Sequence, residues 1–339
     1  MEIKKRIGLK DIAQEVGVSI ALVSYVLNKQ KENRISREVA DKIRQVAKDL
    51  NYQPNHIAKS LKLQKSFTLG LIVADISNPY SSQMARIIED EAQKRGYTVV
   101  FGSSDENIEK STKLINALIN RQVDGFIIAP VADSDAFLVE LEAKGVPFVL
   151  IDRYFPNQAF NYVAIDNYAA AFEATAHLLD NGHRNIALIN YDTPLFHLNE
   201  RTRGYQAALK KKKIKENKVL IQAVNLEHNP LEIEARLTYL LQLNPPIDAV
   251  LFASNKLAVS GLKCLKNKKI KVPQTIAVVA FDETDAYDLF ETSITHVKQP
   301  IEELGRQATL ALIAKIETHK NPLIQVHLAT TLIVQESSS

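Results

Sequence analysis

From residue 69 to residue 281 the chain alternates two textures, and this alternation restricts its fold more than any other feature. Apolar runs occur at Leu69–Ala74, Thr98–Phe101, Gly125–Ala129, Phe148–Ile151, Val163–Ile165, Ile186–Ile189, Ala249–Ala253 and Ile276–Phe281. Between many of them lie amphipathic segments with helical spacing: Ser81–Arg95, Ile108–Arg121, Asp133–Lys144, Tyr168–Asn181, Asn199–Lys213, Leu231–Leu243 and Lys256–Lys268. Strands that alternate with helices predict parallel sheets covered by helices on both faces. Ligands then lie beyond the carboxyl ends of the strands. About eight strands fit either one large sheet or two lobes, and periodicity does not choose between them. The tail Glu336–Ser339 reads as frayed.

Residues 1–65 have a different texture. Leu9, Ile12, Ala13 and Val16 recur at helical spacing and Gly17 ends that helix. Val18 follows as an apolar plug. Ser19 caps a second helix reaching about Asn28, with Val23, Val26 and Leu27 on its inner face. A third helix runs from Ser36 to about Asn51 and is broken by Gln53-Pro54. Asn55–Lys62 reads as one or two further turns. Helix, tight turn, helix is the helix-turn-helix plan, whose second helix enters the DNA major groove. Three short helices alone are a weak signal for it.

Charge separates the same two regions. The formal total of +3 hides 14 Lys/Arg against 7 Asp/Glu in residues 1–65, a net +7, and 28 against 32 in the rest, a net −4. A small basic module on a larger acidic one suits a polyanion partner; a merely solvated basic terminus is the alternative. The 339 residues allow two or three domains. The single cysteine, Cys264, excludes an intrachain disulfide and reads as core. The longest apolar stretches, such as Gly125–Ala132, are far short of the ~20 residues of a spanning helix. Met1–Arg6 is basic but no apolar block follows, so a secretory signal is not expected and the default compartment is the cytoplasm.

The wording of these segments is specific. Leu9-Lys10-Asp11-Ile12-Ala13, Val16-Gly17-Val18-Ser19, Val23-Ser24 and Val26-Leu27-Asn28 resemble the LacI/GalR family of bacterial repressors. So do Asn51-Tyr52-Gln53-Pro54-Asn55, Ala58-Lys59-Ser60-Leu61, Gly70-Leu71-Ile72-Val73, Ile76-Ser77-Asn78-Pro79-Tyr80, Val123-Asp124-Gly125, Asp152-Arg153, Gly182-His183-Arg184 and Gln299-Pro300. These phrases stand in the family's order across residues 7–334. The resemblance implies an α/β fold: a two-lobed, periplasmic-binding-protein-like core of parallel sheets after a small all-α helix-turn-helix domain. It implies a headpiece at 1–54, a hinge helix and linker at 55–65, and an effector-binding and dimerisation core at 66–339. Lobe 1 is placed at about 66–163 and 295–325, lobe 2 at about 164–294. The implied protein is a regulator, most simply a repressor, that binds a palindromic operator as a homodimer under control of a small effector.

In the headpiece, Ser19, Ser24, Asn28, Tyr52, Lys4, Lys5, Arg6, Lys29 and Arg34 are candidates for phosphate contacts, which position but do not specify. Ile20, Ala21 and Tyr25 match positions where the family reads bases. Tyr25 replaces a frequent Arg or His, and Leu22 a frequent Thr. Ile20 and Ala21 lack hydrogen-bonding groups, so readout leans on thymine methyls and DNA shape; the alternative places Ile20 inside. Leu61 matches the hinge leucine that the family wedges into the minor groove, beside Lys59 and Lys62. Packing within a linker is its alternative.

In the core, Asp75, Ser104, Asp152-Arg153, Asp166-Asn167, Asn255 and Asp282 stand at predicted strand ends. Matched to the family, the effector set is Asn78, Tyr80, Asp152, Arg153, Arg201, Asn255, Asp282 and Lys298. A sugar's hydroxyls need such carboxylates and amides, plus an aromatic plate. Each residue alone reads equally well as an N-cap or surface ion pair. Asn255-Lys256 departs from the family's Asn-Asp, and Ala280-Phe281-Asp282-Glu283 from its Gly-Phe-Asp-Asp. Ser81 stands where a second aromatic is frequent, which shrinks the plate. A carbohydrate leads as effector class, with a purine or phosphorylated sugar as alternatives. Two other functions compete. A solute-binding protein without DNA activity conflicts with the basic N-terminal helices. An α/β enzyme lacks G-x-G-x-x-G, P-loop, G-x-S-x-G and H-E-x-x-H motifs. The eight histidines show no metal-ligand spacing, and no metal or cofactor is expected.

Overall fold

The computed structural model describes residues 7–28, 34–52, 65–226, 230–318 and 322–339. The chain forms two compact units that meet at Ser66 and Phe67. The expected hinge at 55–65, with Lys59, Leu61 and Lys62, falls almost wholly outside the described residues, as do Lys4, Lys5, Arg6 and Lys29.

Among the described residues the first unit has three α-helices: α1 (Leu9–Val16), α2 (Ile20–Leu27) and α3 (Arg37–Asp49). Asp11 reaches back to the Gly8 N–H at 2.7 Å and secures the start of α1. Gly17 ends it with φ +81°, in the left-handed region, and its N–H bonds Ala13 O. A Cβ at Gly17 would meet nothing within 4 Å, so conformation rather than space selects glycine here. Ser19 and Ser36 accept from Leu22 N and Val39 N, capping α2 and α3. Ile12, Val23, Val26 and Ile43 form the buried centre.

The second unit contains two six-stranded sheets. In the first, β1 (Thr68–Val73), β2 (Thr98–Ser103), β3 (Gly125–Ile128), β4 (Phe148–Ile151), β5 (Tyr162–Ile165) and β11 (Gln325–Leu328) lie in the order β2-β1-β3-β4-β5-β11. In the second, β6 (Ile186–Asp192), β7 (Ile221–Asn225), β8 (Ala249–Phe252), β9 (Ala277–Phe281), β10 (Thr295–Lys298) and β12 (Thr331–Ile333) lie in the order β7-β6-β8-β9-β10-β12. The two orders repeat each other position by position. All pairings are parallel except β10 with β12, where His296 faces Ile333. The helices α4 (Pro79–Gln93), α5 (Ile108–Asn120), α6 (Asp135–Ala143) and α11 (Ile301–Thr318) cover the first sheet. Those covering the second are α7 (Asn167–Asp180), α8 (Phe196–Lys211), α9 (Pro230–Leu241) and α10 (Asn255–Asn267).

Two lobes, not one sheet, is therefore the outcome, with twelve strands among the described residues rather than eight. The four strands without an apolar run are β7, β10, β11 and β12. β7 alternates buried positions with more exposed ones, β11 alternates exposed and half-buried ones, β12 has three residues, and β10 reads Thr-His-Val-Lys. Such strands carry little hydrophobic signal. The lobe boundaries also differ. The chain crosses at residue 166, at 299–300 and at 329–330. β10 pairs with β9 and so belongs to lobe 2, and β12 returns there after β11 has joined lobe 1.

The frayed tail is corrected as well. Ser337 and Ser338 are fully buried. Ser337 Oγ accepts from Thr295 N at 2.8 Å and donates to Val278 O at 2.7 Å, while Ser338 Oγ lies 2.7 Å from His177 Nε2. Among the described residues no helix is long and apolar enough to cross a membrane.

Candidate functional site

A cavity of about 550 Å³ opens between the lobes at the carboxyl ends of β1, β4, β8 and β9. The sequence of strands runs outward in opposite senses on the two sides of β1/β3, although the strands themselves are parallel, and a crevice forms at such a switch point. Asn78, Tyr80, Asp152, Arg153, Arg201, Asn255 and Asp282 all line it. Lys298 does not. Strand alternation buries Val297 and turns Lys298 outward, where its Nζ pairs with Glu283. Gln299, one residue on, occupies the cleft in its place.

Each lip is locally determined. Asn78 caps α4 through Tyr80 N, with Pro79 at the first helical position, and its Oδ1 also accepts from Asn255 Nδ2 of the other lobe at 2.9 Å. The cap reading and the cleft reading of Asn78 thus both hold as geometry. The Tyr80 hydroxyl has Asp152 Oδ1 at 3.0 Å and Gln299 Oε1 at 3.1 Å as acceptors. Burial, then Asp152 and Asp282, push its pKa well above the usual tyrosine value, so it remains a neutral donor.

Asp152 and Asp282 follow β4 and β9, which hold matching positions in the two sheets. Both adopt left-handed φ, +68° and +67°. Aspartate tolerates that conformation at a modest cost, and such residues cluster at binding sites. Burial raises the pKa of Asp152, against the pull of Arg153 and Arg201. Asp282 Oδ1 accepts from Gln299 Nε2 at 2.6 Å.

The cations differ in how they are neutralised. Arg153 forms a two-pronged pair with Glu106, both contacts 2.7 Å. Lys256 pairs with Asp75 across the cleft. Burial alone would raise the Asp75 pKa, but bonds from Lys256 and Ser77 outweigh it and hold the carboxyl below its usual range. Arg201 is 3% exposed. Its Nε donates to Asn167 Oδ1 at 2.8 Å, one terminal nitrogen donates to Ala253 O at 2.5 Å, and the guanidinium lies 4.0 Å from the Phe281 ring centre. Among the described residues it forms no ion pair, leaving a buried charge directed at the cleft.

Glu106, Tyr191, His197, Lys256 and Gln299 line the cleft too, and none of them belongs to the expected set. For His197 a signal existed: it stands four residues before Arg201 on one helix, hence on the same face. α8 is drawn close to α7 at Gly204, where a Cβ would lie 2.2 Å from Tyr168 O. Two strand-end residues do other work. Ser104 Oγ bonds Val73 O and Asp166 caps α7. Among the described residues no three His, Cys, Asp or Glu could hold a metal ion. Cys264 is buried in the second lobe's core, and burial raises its thiol pKa.

His197 is 5% exposed, and its Nδ1 has no hydrogen-bond partner among the described residues. Burial, then Arg153 and Arg201, pull its pKa well below 6.5, so it is neutral at pH 7. Between its folded pKa and 6.5 the unfolded chain takes up a proton that the folded chain does not, so stability rises with pH there. Acidification from pH 7 to 5 should lower the melting temperature. His197→Gln should flatten that slope by up to about 1.4 kcal/mol per pH unit. An unchanged slope in a calorimetric pH series would count against a neutral His197. His177, also depressed by burial, adds to the same trend and remains in the variant.

The headpiece presents a second candidate surface. Val23 and Val26 are buried, while Ile20, Ala21, Ser24, Tyr25 and Asn28 lie along the outer side of α2 at helical spacing. Ile20 is 48% exposed, so it is not an inner residue. Asn28 Nδ2 donates to Ser24 O at 2.8 Å and ties the end of this stripe. Arg34 is exposed. Tyr52 packs half-buried on the headpiece core, and burial raises its pKa.

These two surfaces coincide with two family matches. Residues 8–55 match the family described as "Bacterial regulatory proteins, lacI family", and residues 66–334 match "Periplasmic binding proteins and sugar binding domain of LacI family". The chain belongs to the LacI family. It is a DNA-binding transcriptional regulator with the two-lobed core of that family. It is 34% identical over 332 residues to the ribose operon repressor of Halalkalibacterium halodurans, covering 97% of this chain and 96% of that protein. Among solved structures, a complex of the transcriptional regulator CelR with cellobiose is 26% identical, with a TM-score of 0.73, over 98% of this chain and all of the other. The lac repressor dimer bound to operator and the anti-inducer ONPF has a TM-score of 0.87 at 22% identity, over 98% and 99% of the chains, and shares the fold.

Proposed function

We propose that this LacI-family member is a cytoplasmic repressor that binds a palindromic operator as a homodimer and is switched by a sugar or sugar derivative held between its lobes. The observation that carries the effector part is the convergence of Asp152 from the first lobe with Arg201 and Asp282 from the second on one cavity. Carboxylates opposed to a guanidinium suit the paired donors and acceptors of vicinal hydroxyls. A ribose repressor and a cellobiose-bound regulator among the relatives support the same class. Asn78, Tyr80, Arg153 and Asn255 complete the proposed effector set.

For DNA, the α2 stripe is the proposed reading surface. Ile20, Ala21 and Tyr25 meet bases; Ser19, Ser24, Asn28, Arg34 and Tyr52 meet phosphates. Lys59, Leu61 and Lys62 belong to the proposed hinge, with the headpiece at 1–54. The edge strand β2 supports a homodimer, since it leaves Phe101 59% exposed beside Val100 and Ile108, an apolar edge that a second copy would cover.

The test couples the two sites. A sugar that raises the melting temperature of the protein by mass action should also change its affinity for a palindromic operator by at least fivefold in a fluorescence-anisotropy titration. A sugar that binds but leaves operator affinity unchanged would contradict the switch.

A further inference from the structure

The space between the lobes has two compartments, and His197 lines both. The larger is the cleft described above. The smaller, about 280 Å³, lies on the far side of His197, between Tyr154 of the first lobe and Phe196, Glu200 and Arg203 of α8. Small-molecule sites occupy about 300–1,000 Å³. The larger compartment falls in that range alone. The smaller falls just below it, and so works as an extension of its neighbour rather than as a separate site.

The extension has what a sugar ring requires. Tyr154 is a braced plate: its ring stacks on Tyr162 with centres 4.1 Å apart and planes 10° apart. Phe196 meets it edge-on at 5.2 Å, and the Tyr154 hydroxyl lies 3.1 Å from His327 Nε2. Such a plate suits the C–H face of a ring. It compensates for Ser81, which left the main cleft short of an aromatic. Glu200 and Arg203, which pair with each other, keep further acceptor and donor sites for hydroxyls. At the partition, the buried His197 Nδ1 lacks a partner among the described residues. The first turn of α8 beside it has no side-chain cap, because Leu195 holds the cap position. Both leave hydrogen-bonding capacity where a linkage oxygen between two rings would pass.

We infer that the effector is a disaccharide, with one ring in the larger compartment and the second over Tyr154, the glycosidic bond passing His197. This rests on the interlobe cleft being the effector site.

Calorimetric titration of the full-length protein tests it, with glucose, galactose, ribose and xylose set against cellobiose, maltose, lactose, sucrose and xylobiose. One disaccharide should bind at least tenfold more tightly than its constituent monosaccharides. Tyr154→Ala should remove that advantage while leaving monosaccharide affinity within twofold, which also shows that the variant is folded. Phe196→Ala should act in the same direction. A monosaccharide that binds as tightly as every disaccharide would overturn the inference and leave the cleft assignment intact. So would disaccharide affinity unchanged in both variants. No saccharide binding, or binding unaffected by Arg201→Ala, would overturn the cleft assignment and the disaccharide with it.

Discussion

Arg201→Ala is expected to weaken effector binding at least a hundredfold and to lower the stability of the core. The side chain, 3% exposed, donates to Asn167 Oδ1 and Ala253 O, both bonds buried. Its removal strands both acceptors, at about 1–3 kcal/mol for each buried group left unpaired. It also empties the space over Phe281. A destabilisation of about 2–4 kcal/mol follows, read in a denaturant titration. The loss of binding has a separate cause, because charge-assisted bonds to a ligand are worth about 1.5–3 kcal/mol each. Arg201→Lys should not rescue it, since an ammonium cannot reproduce the planar fork. Lys298→Ala is the control. Its partner is the half-exposed Glu283, so effector affinity should stay within twofold. If Arg201→Ala retains near-normal affinity, or Lys298→Ala loses it, the cleft has been assigned wrongly.

Deleting residues 1–62 should abolish operator binding while leaving effector affinity and the melting of the core unchanged. The cut falls four residues before the junction at Ser66 and Phe67, and each unit has its own buried core. The removed segment carries most of the +7 charge; the remainder is acidic and should not attract DNA. Specific binding exceeds non-specific binding by about 10³–10⁷, so the loss should be at least a thousandfold. In the intact protein, operator affinity should fall steeply with salt. Six to ten phosphate contacts imply a drop of about 10³–10⁵ between 50 and 200 mM. A shallow slope would mean that the basic headpiece does not grip phosphate. A truncated protein that still retards the operator would place DNA binding in the core.

The two expectations draw on different depths of information. Gly17, Ser19 and Ser36 act within four residues of themselves, so the headpiece helices were legible from sequence. The eight apolar runs were legible too: seven belong to strands largely buried on both faces, which must be continuously apolar, and the eighth is the exposed edge strand β2. By contrast, α11 has helical spacing at Ile301, Leu304, Ala308, Leu312 and Ile316, but it lies between strands that lack such runs, beyond the alternation that ends at residue 281. β10 was silent for the same reason, and the lobe boundary shifted with it. The site shows the same division. Strand-end aspartates and the resemblance pointed to Asp152 and Asp282. Choosing Lys298 over Gln299 failed because the two adjacent residues face opposite sides of β10's end, which only the pairing of β10 with β9 and β12 decides.

Sequence alone therefore determined the local and the ordered: three capped helices, βα alternation, the basic and acidic halves, and the family. Helix caps and periodic burial depend on neighbours within a few residues, and a chain carries that information in its spacing. Only the tertiary structure decided that twelve strands form two matching sheets. It also decided that the last serines are buried against Thr295, that Lys256 meets Asp75 across the cleft, and that His197 divides the interlobe space. Those contacts join residues 34 to 181 positions apart. They depend on which surfaces pack together, and no local period encodes that.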